Sequence, residues 1–196
     1  MSVIAIIPAR GGSQRIPRKN VKHFHGKPII AYSIAKAKES GLFDRIIVTT
    51  DDANIAAVAT HYGAEVWLRS EEFYGRDSTG TQEVVKECLE GIGATSFDVV
   101  CCIYATAPLM SVQDLCRGYL ILDGWRGDNV TYVMSVGYPP LSDAGQFYWG
   151  MAFSFMDSIP LISPHTRLIH VDENRVCDIN NEGDWVRAVN MYEDLK

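Results

Sequence analysis

The chain has 196 residues, of which 47% are hydrophobic and 21% are charged, so its size and composition are those of one globular domain. This composition excludes an intrinsically disordered chain, and no apolar run approaches the length that crosses a bilayer. The five cysteines lack CxxC spacing, and four of them lie in apolar stretches. We therefore expect reduced thiols in a cytoplasmic protein, without disulfides or zinc.

The net charge of −6 conceals a strong asymmetry along the chain. Residues 1–38 contain eight Lys or Arg side chains and no acidic one, whereas the rest of the chain has ten basic and 24 acidic side chains. A chain that is basic throughout would indicate nucleic-acid binding. A positive charge confined to one segment instead predicts a single anionic ligand, such as a nucleotide polyphosphate.

Strands alternate with helices in the predicted pattern. The predicted elements of the first half are a strand over 3–8, a helix over 29–40 that ends at Gly41, a strand over 46–50, a helix capped by Asp51 or Asp52 that reaches Tyr62, and a strand over 65–68. Between the first strand and the first helix lies a long polar loop, and loops of that length are usually functional.

The second half continues the same alternation. Its predicted elements are a helix over 81–90, a strand over 98–104, a helix from Ser111, strands over 130–136, 146–149 and 168–170, and a helix from Asn181 to Tyr192. Ser111 and Asp114 form a capping-box pattern, and Met110 and Leu115 occupy the positions of a hydrophobic staple. Such alternation predicts an α/β fold with a largely parallel sheet that is covered on both faces.

The loop after the first strand is the main candidate binding segment. In an open α/β sheet, ligands bind beyond the carboxyl ends of the strands, where this loop begins. Its glycines allow backbone N–H groups to approach phosphate oxygens, and its cations are Arg10, Arg15, Arg18 and Lys19. It matches neither a Walker A loop nor a dinucleotide-binding GxGxxG. The alternative is a basic turn that only faces solvent.

These motifs resemble a known family over nearly the whole chain. The stretches IIPARGGSQRIPRKN, GKPIIAYSI, GLFDRIIVTTDD and YGAEV, followed by CCIYATAPL, DAGQFYWG and DINNEGDW, are similar to those of the acylneuraminate cytidylyltransferases. The last three look most like the branch that activates pseudaminic acid, a bacterial nonulosonic acid. The resemblance implies a single domain over residues 1–196 with a three-layer αβα, Rossmann-like nucleotide-diphospho-sugar transferase fold and a mixed, mostly parallel sheet.

The resemblance also implies a reaction. The anomeric hydroxyl of a nonulosonic acid would attack the α-phosphate of CTP, Mg²⁺ would help pyrophosphate to leave, and a CMP-sugar would form without a covalent enzyme intermediate. The implied partners are CTP and the sugar acid, with no nucleic acid and no membrane. Two other hypotheses stay open: a nucleotide-binding module of the same fold with weak or no turnover, and a nucleotidyltransferase for a different sugar or base.

Site residues follow from the resemblance position by position. The implied nucleotide contacts are Ala9, Arg10, Gly11, Gly12, Ser13, Asn20, Arg69, Asp77, Ser78, Thr81 and Thr106, and the implied sugar contacts are Tyr104, Ala107 and Gln146. Arg10, Lys19 and Asp178 are the expected catalytic residues, with Lys19 placed for the α-phosphate or the departing pyrophosphate. Ala9 and Arg69 are expected at the cytosine end.

The sequence departs from the family pattern at three places. Asp178-Ile-Asn180 stands where the family has Asp-x-Asp, so the expected metal ligands, Asp178 and Asn180, bring one carboxylate instead of two, and Mg²⁺ binding should be weaker. The alternative is that Asp178 only caps a turn. Gln14 replaces a usual lysine or arginine and removes a phosphate contact.

The third departure is a missing arm. In relatives, a segment between the positions of Pro140 and Asp143 pairs two subunits and adds sugar contacts, and here it is nearly absent. Either the chain is naturally shorter, or a segment of the protein is missing from this sequence. The homodimer that the resemblance implies depends on this arm.

Overall fold

The computed structural model describes residues 1–70, 80–125, 129–137 and 141–195. Its centre is a seven-stranded sheet with the order β5-β4-β1-β6-β8-β7-β9. The strands are β1 (Val3–Pro8), β4 (Arg45–Thr50), β5 (Glu65–Leu68), β6 (Val99–Ile103), β7 (Tyr132–Gly137), β8 (Ser142–Met151) and β9 (Thr166–His170), and β2 (His23–Phe24) and β3 (Lys27–Pro28) form a separate hairpin. Strand β8 is antiparallel to both neighbours, and the other pairs of neighbouring strands are parallel.

The α-helices of the described residues are α1 (Ile30–Ser40), α2 (Ala53–His61), α3 (Thr81–Gly91), α4 (Val112–Gly124), α5 (Ala152–Met156) and α6 (Glu182–Asp194), and the first five cover the sheet. One face of the sheet packs against α1, α2 and α4, with Ile34, Ile55 and Leu115 among the buried contacts. The other face packs against α3 and α5 through Val85 and Phe155. This is the three-layer αβα arrangement with a mixed, mostly parallel sheet that the sequence predicts.

Local signals at the helix ends are confirmed. Gly41 adopts a φ of 64° at the end of α1, a conformation that glycine reaches without strain. The Asp52 side chain accepts hydrogen bonds from two backbone N–H groups at the start of α2, and the Ser111 side chain accepts one at the start of α4. Asn181 and Asp184 form the capping box of α6. The cysteines are free thiols, and all but Cys116 are buried.

Three features differ from the predictions. Strand β8 runs over ten residues instead of four, because the chain from Ala144 to Gly150 is buried beneath both helical layers and shows no alternation to mark its ends. The short helix α5 was not predicted, nor was the β2–β3 hairpin. The hairpin turns at His25 and Gly26, which both have positive φ, and a Gly at the second turn position was the available signal.

A third apolar cluster lies outside the two sheet faces. It combines residues distant in sequence: Ile16 from the loop after β1, Phe24 from β2, Cys177 and Ile179 from the segment before α6, and Trp185 from α6 itself. The cluster joins the basic N-terminal loop to the C-terminal segment. Within the described residues, no helix is both long and apolar enough to cross a membrane.

Candidate active site

A pocket of about 550 Å³ opens at the carboxyl ends of β1 and β6. The loop after β1 forms one wall, and the first residues of α3, the turn after β6 and the segment before α6 complete it. The described lining residues are Pro8, Arg10, Ser13, Gln14, Arg15, Lys19, Asn20, Arg69, Thr81, Val84, Tyr104, Ala105, Thr106 and Asn180. The pocket therefore lies where the fold class predicts a ligand.

The charge of this pocket has one sign. Arg10, Arg15, Lys19 and Arg69 line it, and no Asp or Glu occurs among its described lining residues. Burial lowers the pKa of Arg69, whose guanidinium nitrogens donate to the carbonyl and hydroxyl oxygens of Thr49. Because a guanidinium has five N–H donors, further donors remain for a ligand. The arrangement suits a polyanion that also offers hydrogen-bond acceptors.

The first turn of the loop is held by hydrogen bonds within the protein. The buried Asn20 side chain donates to the carbonyl oxygen of Arg10 at 2.9 Å, and the Gly11 N–H donates to Asp51 Oδ1 at 2.7 Å. A Cβ on Gly11 would lie 2.6 Å from Asp52 Oδ2, so this position requires glycine for packing. The Gly11 N–H, expected to approach phosphate, thus bonds a carboxylate in this structure.

Lys19 connects the loop to the segment before α6. Its Nζ donates to the carbonyl oxygen of Ile179 at 2.7 Å. Burial lowers the pKa of Lys19, the negative charge of Asp178 opposes that change, and Arg15 and Arg10 lower the pKa further. Because an ammonium has three N–H donors, the bond to Ile179 leaves two for phosphate oxygens.

Asp178 and Asn180 lie side by side on either side of Ile179. The Asn180 side-chain amide donates to Asp178 Oδ2, and Asn180 lines the pocket. The exposed Asp178 packs against β8 at Gly145, whose φ is 65° and whose Cβ would lie 2.9 Å from Asp178 Cβ. A carboxylate oxygen and an amide oxygen are ligands that a hard divalent cation accepts.

Among the described residues, no group of three or more His, Cys, Asp or Glu side chains could hold a metal ion. Asp178 and Asn180 therefore fit a cation that takes its other ligands from water and phosphate oxygens, as Mg²⁺ does beside nucleotides.

A second recess of about 360 Å³ adjoins the first pocket. The two share Thr81 and Tyr104, and Tyr148 and Leu161 lie in the second recess only. Tyr104 donates its phenol hydrogen to Asp143 Oδ2 at 3.1 Å. Burial raises the pKa of Tyr104, and the negative charge of Asp143 raises it further. Burial also raises the pKa of Asp143, while the hydrogen bonds that Asp143 accepts from Gly145 and Tyr104 oppose that change.

Most of the predicted site residues come together here, and several do not reach the pocket. Arg10, Ser13, Lys19, Asn20, Arg69, Thr81, Tyr104, Thr106 and Asn180 all line it. Ala9 and Ala107 are buried in the core, and Gln146 is 2% exposed with its side-chain amide donating to the carbonyl oxygen of Arg175. Gly11, the exposed Gly12 and the exposed Asp178 are not among the lining residues, and Asp77 and Ser78 lie outside the described residues.

Sequence reasoning missed two acidic residues of this region. Asp51 holds the Gly11 N–H, and Asp143 holds the Tyr104 hydroxyl. Asp51 directly follows β4, so the rule that sites form at the carboxyl ends of strands could have identified it. Asp143 belongs to a strand that runs in the opposite direction, and no local signal marked it.

Known proteins are similar to this chain both in sequence and in fold. Residues 4–119 match the cytidylyltransferase family, and the chain is 32% identical to a pseudaminic acid cytidylyltransferase from Campylobacter jejuni over 98% of this chain and 97% of that protein. The chain belongs to the cytidylyltransferase family. This confirms the family predicted from the sequence, and with it the assignment to the nucleotidyltransferase enzymes.

Two further comparisons extend this result. The cytidylyltransferase chain is 40% identical to a CMP-N,N'-diacetyllegionaminic acid synthase from Legionella pneumophila over 71% of its own length and 61% of that protein. The fold matches the structure of a CMP:2-keto-3-deoxy-manno-octonic acid synthetase complexed with CTP, with a TM-score of 0.77, 15% identity and complete coverage of both chains. At that identity the likeness establishes the fold.

The anchoring of the basic loop leads to a prediction for Ile16. Ile16→Ala removes a fully buried side chain from the third cluster, so we expect unfolding in urea to require about 2–5 kcal/mol less free energy. Limited trypsin digestion should also cleave faster after Arg15 and Arg18. The matched control is Ile162→Ala, because Ile162 is 80% exposed and its loss should change neither measurement. Equal behaviour of the two variants would show that the loop is not anchored through Ile16.

Proposed function

We propose that this cytidylyltransferase joins CTP to a nonulosonic acid, with pseudaminic acid as the preferred substrate, and releases a CMP-sugar and pyrophosphate. The observation that carries the proposal is the pocket wall with four cationic side chains and no acid among its described lining residues. Such a wall favours a triphosphate over a neutral or cationic ligand.

We assign the parts of the nucleotide to residues of this wall on the basis of their charge and hydrogen-bonding groups. Arg10, Arg15 and Lys19 would hold the triphosphate, while Arg69, whose guanidinium donates to the Thr49 carbonyl, would contact the cytosine end. The hydroxyl groups of Ser13 and Thr106 add donors that suit phosphate or ribose oxygens. No nucleophilic side chain is required, because phosphoryl transfer depends on positioning and on neutralising charge.

The reaction then needs a sugar hydroxyl in line with the leaving group. The second recess beside Tyr104 would hold the sugar acid, so that its anomeric oxygen faces the α-phosphate. The Lys19 ammonium, fixed by the Ile179 carbonyl, would donate to the charged oxygens that develop as the phosphorus–oxygen bond to pyrophosphate breaks. Asp178 would accept the proton of the attacking hydroxyl.

Asp178 and Asn180 would hold Mg²⁺, the divalent ion we propose for this site. When bound, the ion supplies positive charge beside the phosphate oxygens of the leaving group. One carboxylate gives a weaker electrostatic attraction to the ion than two would give. Asn180 contributes the neutral oxygen of its amide and keeps Asp178 oriented through their hydrogen bond.

The preference for pseudaminic acid is supported by the relative that aligns over nearly its whole length. That alignment spans 225 positions, so the relative carries residues without a counterpart in this 196-residue chain. We propose that they include the subunit-pairing arm, which is nearly absent here between the positions of Pro140 and Asp143. We also propose that the chain forms a single domain and that the protein is a homodimer.

Pyrophosphate release tests the proposed function. The purified protein should release pyrophosphate from CTP, with Mg²⁺ and pseudaminic acid present, faster than with N,N'-diacetyllegionaminic, N-acetylneuraminic or 3-deoxy-octulosonic acid. CTP should be used in preference to UTP, ATP and GTP. Tight CTP binding without turnover on any sugar acid would favour the nucleotide-binding module instead. A reversed sugar ranking would overturn the pseudaminic acid assignment alone.

Removing the Lys19 charge should weaken the nucleotide site. Lys19→Ala loses a charge-assisted hydrogen bond to phosphate, worth roughly 1.5–3 kcal/mol, so calorimetry should show CTP binding weakened about 10–150-fold. Lys27→Ala is the matched control, because Lys27 is an exposed lysine in β3 outside the pocket. Equal affinities in the two variants would remove Lys19 from the triphosphate site.

Restoring a second carboxylate should strengthen the metal site. Asn180→Asp adds a negative charge beside Asp178, so half-maximal activity should need less Mg²⁺. Turnover should rise as well, if the missing charge limits the reaction. Asp178→Ala is the opposite control and should abolish metal-dependent activity while leaving CTP binding in place. An unchanged Mg²⁺ requirement in Asn180→Asp would show that residue 180 does not contact the ion.

A further inference from the structure

Tyr104 is fixed where the two recesses meet. Its backbone N–H donates to the Gln146 carbonyl at 2.8 Å, and its carbonyl accepts from the Ser33 hydroxyl at 2.8 Å. Its ring lies edge-on to the ring of Tyr148, with centroids 6.2 Å apart. The phenol therefore has a defined position at the boundary between the proposed nucleotide and sugar sites.

Asp143 determines the direction of the Tyr104 hydroxyl. One Asp143 oxygen accepts from the Gly145 N–H at 2.7 Å, and the other accepts the phenol hydrogen of Tyr104 at 3.1 Å. Since each carboxylate oxygen has its own donor, the carboxylate is held in one orientation. The phenol hydrogen is committed to Asp143, and the Tyr104 oxygen can only accept hydrogen bonds from a ligand.

The two sides of the site therefore have opposite character. Tyr104 presents an acceptor oxygen, and Asp143 carries the negative charge that adjoins it. Arg15 and Lys19 in the pocket wall present only donors and positive charge. A sugar acid carries one anionic carboxylate together with several hydroxyl and N–H donors. The carboxylate is attracted to the cationic side, and the hydroxyl and N–H donors suit the acceptors on the other side.

We propose that Asp143 is a positioning residue that makes Tyr104 an obligate acceptor for a hydroxyl or acylamino N–H of the sugar acid. In this orientation the carboxylate of the sugar faces the cationic wall, where the α-phosphate of CTP lies. The inference rests on the proposed function and goes beyond it, because it assigns the orientation of the substrate to a pair of residues.

The test is binding of pseudaminic acid to enzyme saturated with α,β-methylene-CTP, which prevents turnover. In Asp143→Asn the amide oxygen still accepts from Gly145, but the amide nitrogen faces Tyr104 and donates, so the phenol hydrogen turns toward the ligand. We expect the dissociation constant of pseudaminic acid to rise about ten-fold, with affinity for α,β-methylene-CTP and melting temperature unchanged. Asp194→Asn, an exposed substitution in the last residue of α6, should change none of these values.

Tyr104→Phe is the second variant of this test. Because Asp143 acts through Tyr104, the double variant Asp143→Asn/Tyr104→Phe should bind pseudaminic acid no more weakly than Tyr104→Phe alone. Fully additive effects, or an Asp143→Asn enzyme with unchanged sugar affinity, would overturn the inference while leaving the proposed function intact. A wild-type enzyme that binds α,β-methylene-CTP and no sugar acid would overturn the proposed function, and the inference with it.

Discussion

The loop after β1 contains several cations that repel one another. The burial of Ile16 nevertheless holds this loop beside the carboxyl end of β1. Ile16 contributes no charge and no hydrogen bond to the pocket, yet it packs with Cys177 and Ile179 in a cluster that excludes solvent. The bond from Lys19 to the Ile179 carbonyl reinforces the same connection. Residues about 160 positions apart are thereby fixed relative to each other, and the site depends on this contact.

That constraint explains how the segment before α6 places the proposed metal ligands beside a cation of the N-terminal loop. Asp178 and Asn180 flank Ile179, so the burial of Ile179 in the cluster positions both polar side chains beside Lys19. Gly145 of β8 supports Asp178 from the other side, where a larger residue would collide with it. The segment is therefore oriented by packing on two sides, and a preorganised site needs less rearrangement when ligand binds.

Much of this arrangement was predictable from local sequence. Helix ends at Gly41, Asp52 and Ser111 have signals within a few residues, and the charge of the first 38 residues predicted the cationic side of the pocket. The site contacts that were missed are long-range. Asp143 meets Tyr104 only because β8 runs antiparallel beside β6, and the same pairing places Gln146 in the interior instead of at the pocket. Periodicity in the sequence carries no information about such contacts.

We propose that the N-terminal loop and the segment before α6 form one nucleotide site. Backbone amide NMR of the ¹⁵N-labelled protein, titrated with CTP and Mg²⁺, tests it most directly. We expect the amides in residues 10–20 and 177–180 to shift together with saturation, accompanied by those of Arg69 and Thr106. Shifts confined to the recess lined by Leu122, Asn129 and His165 would contradict it, as would shifts in the loop without any in residues 177–180.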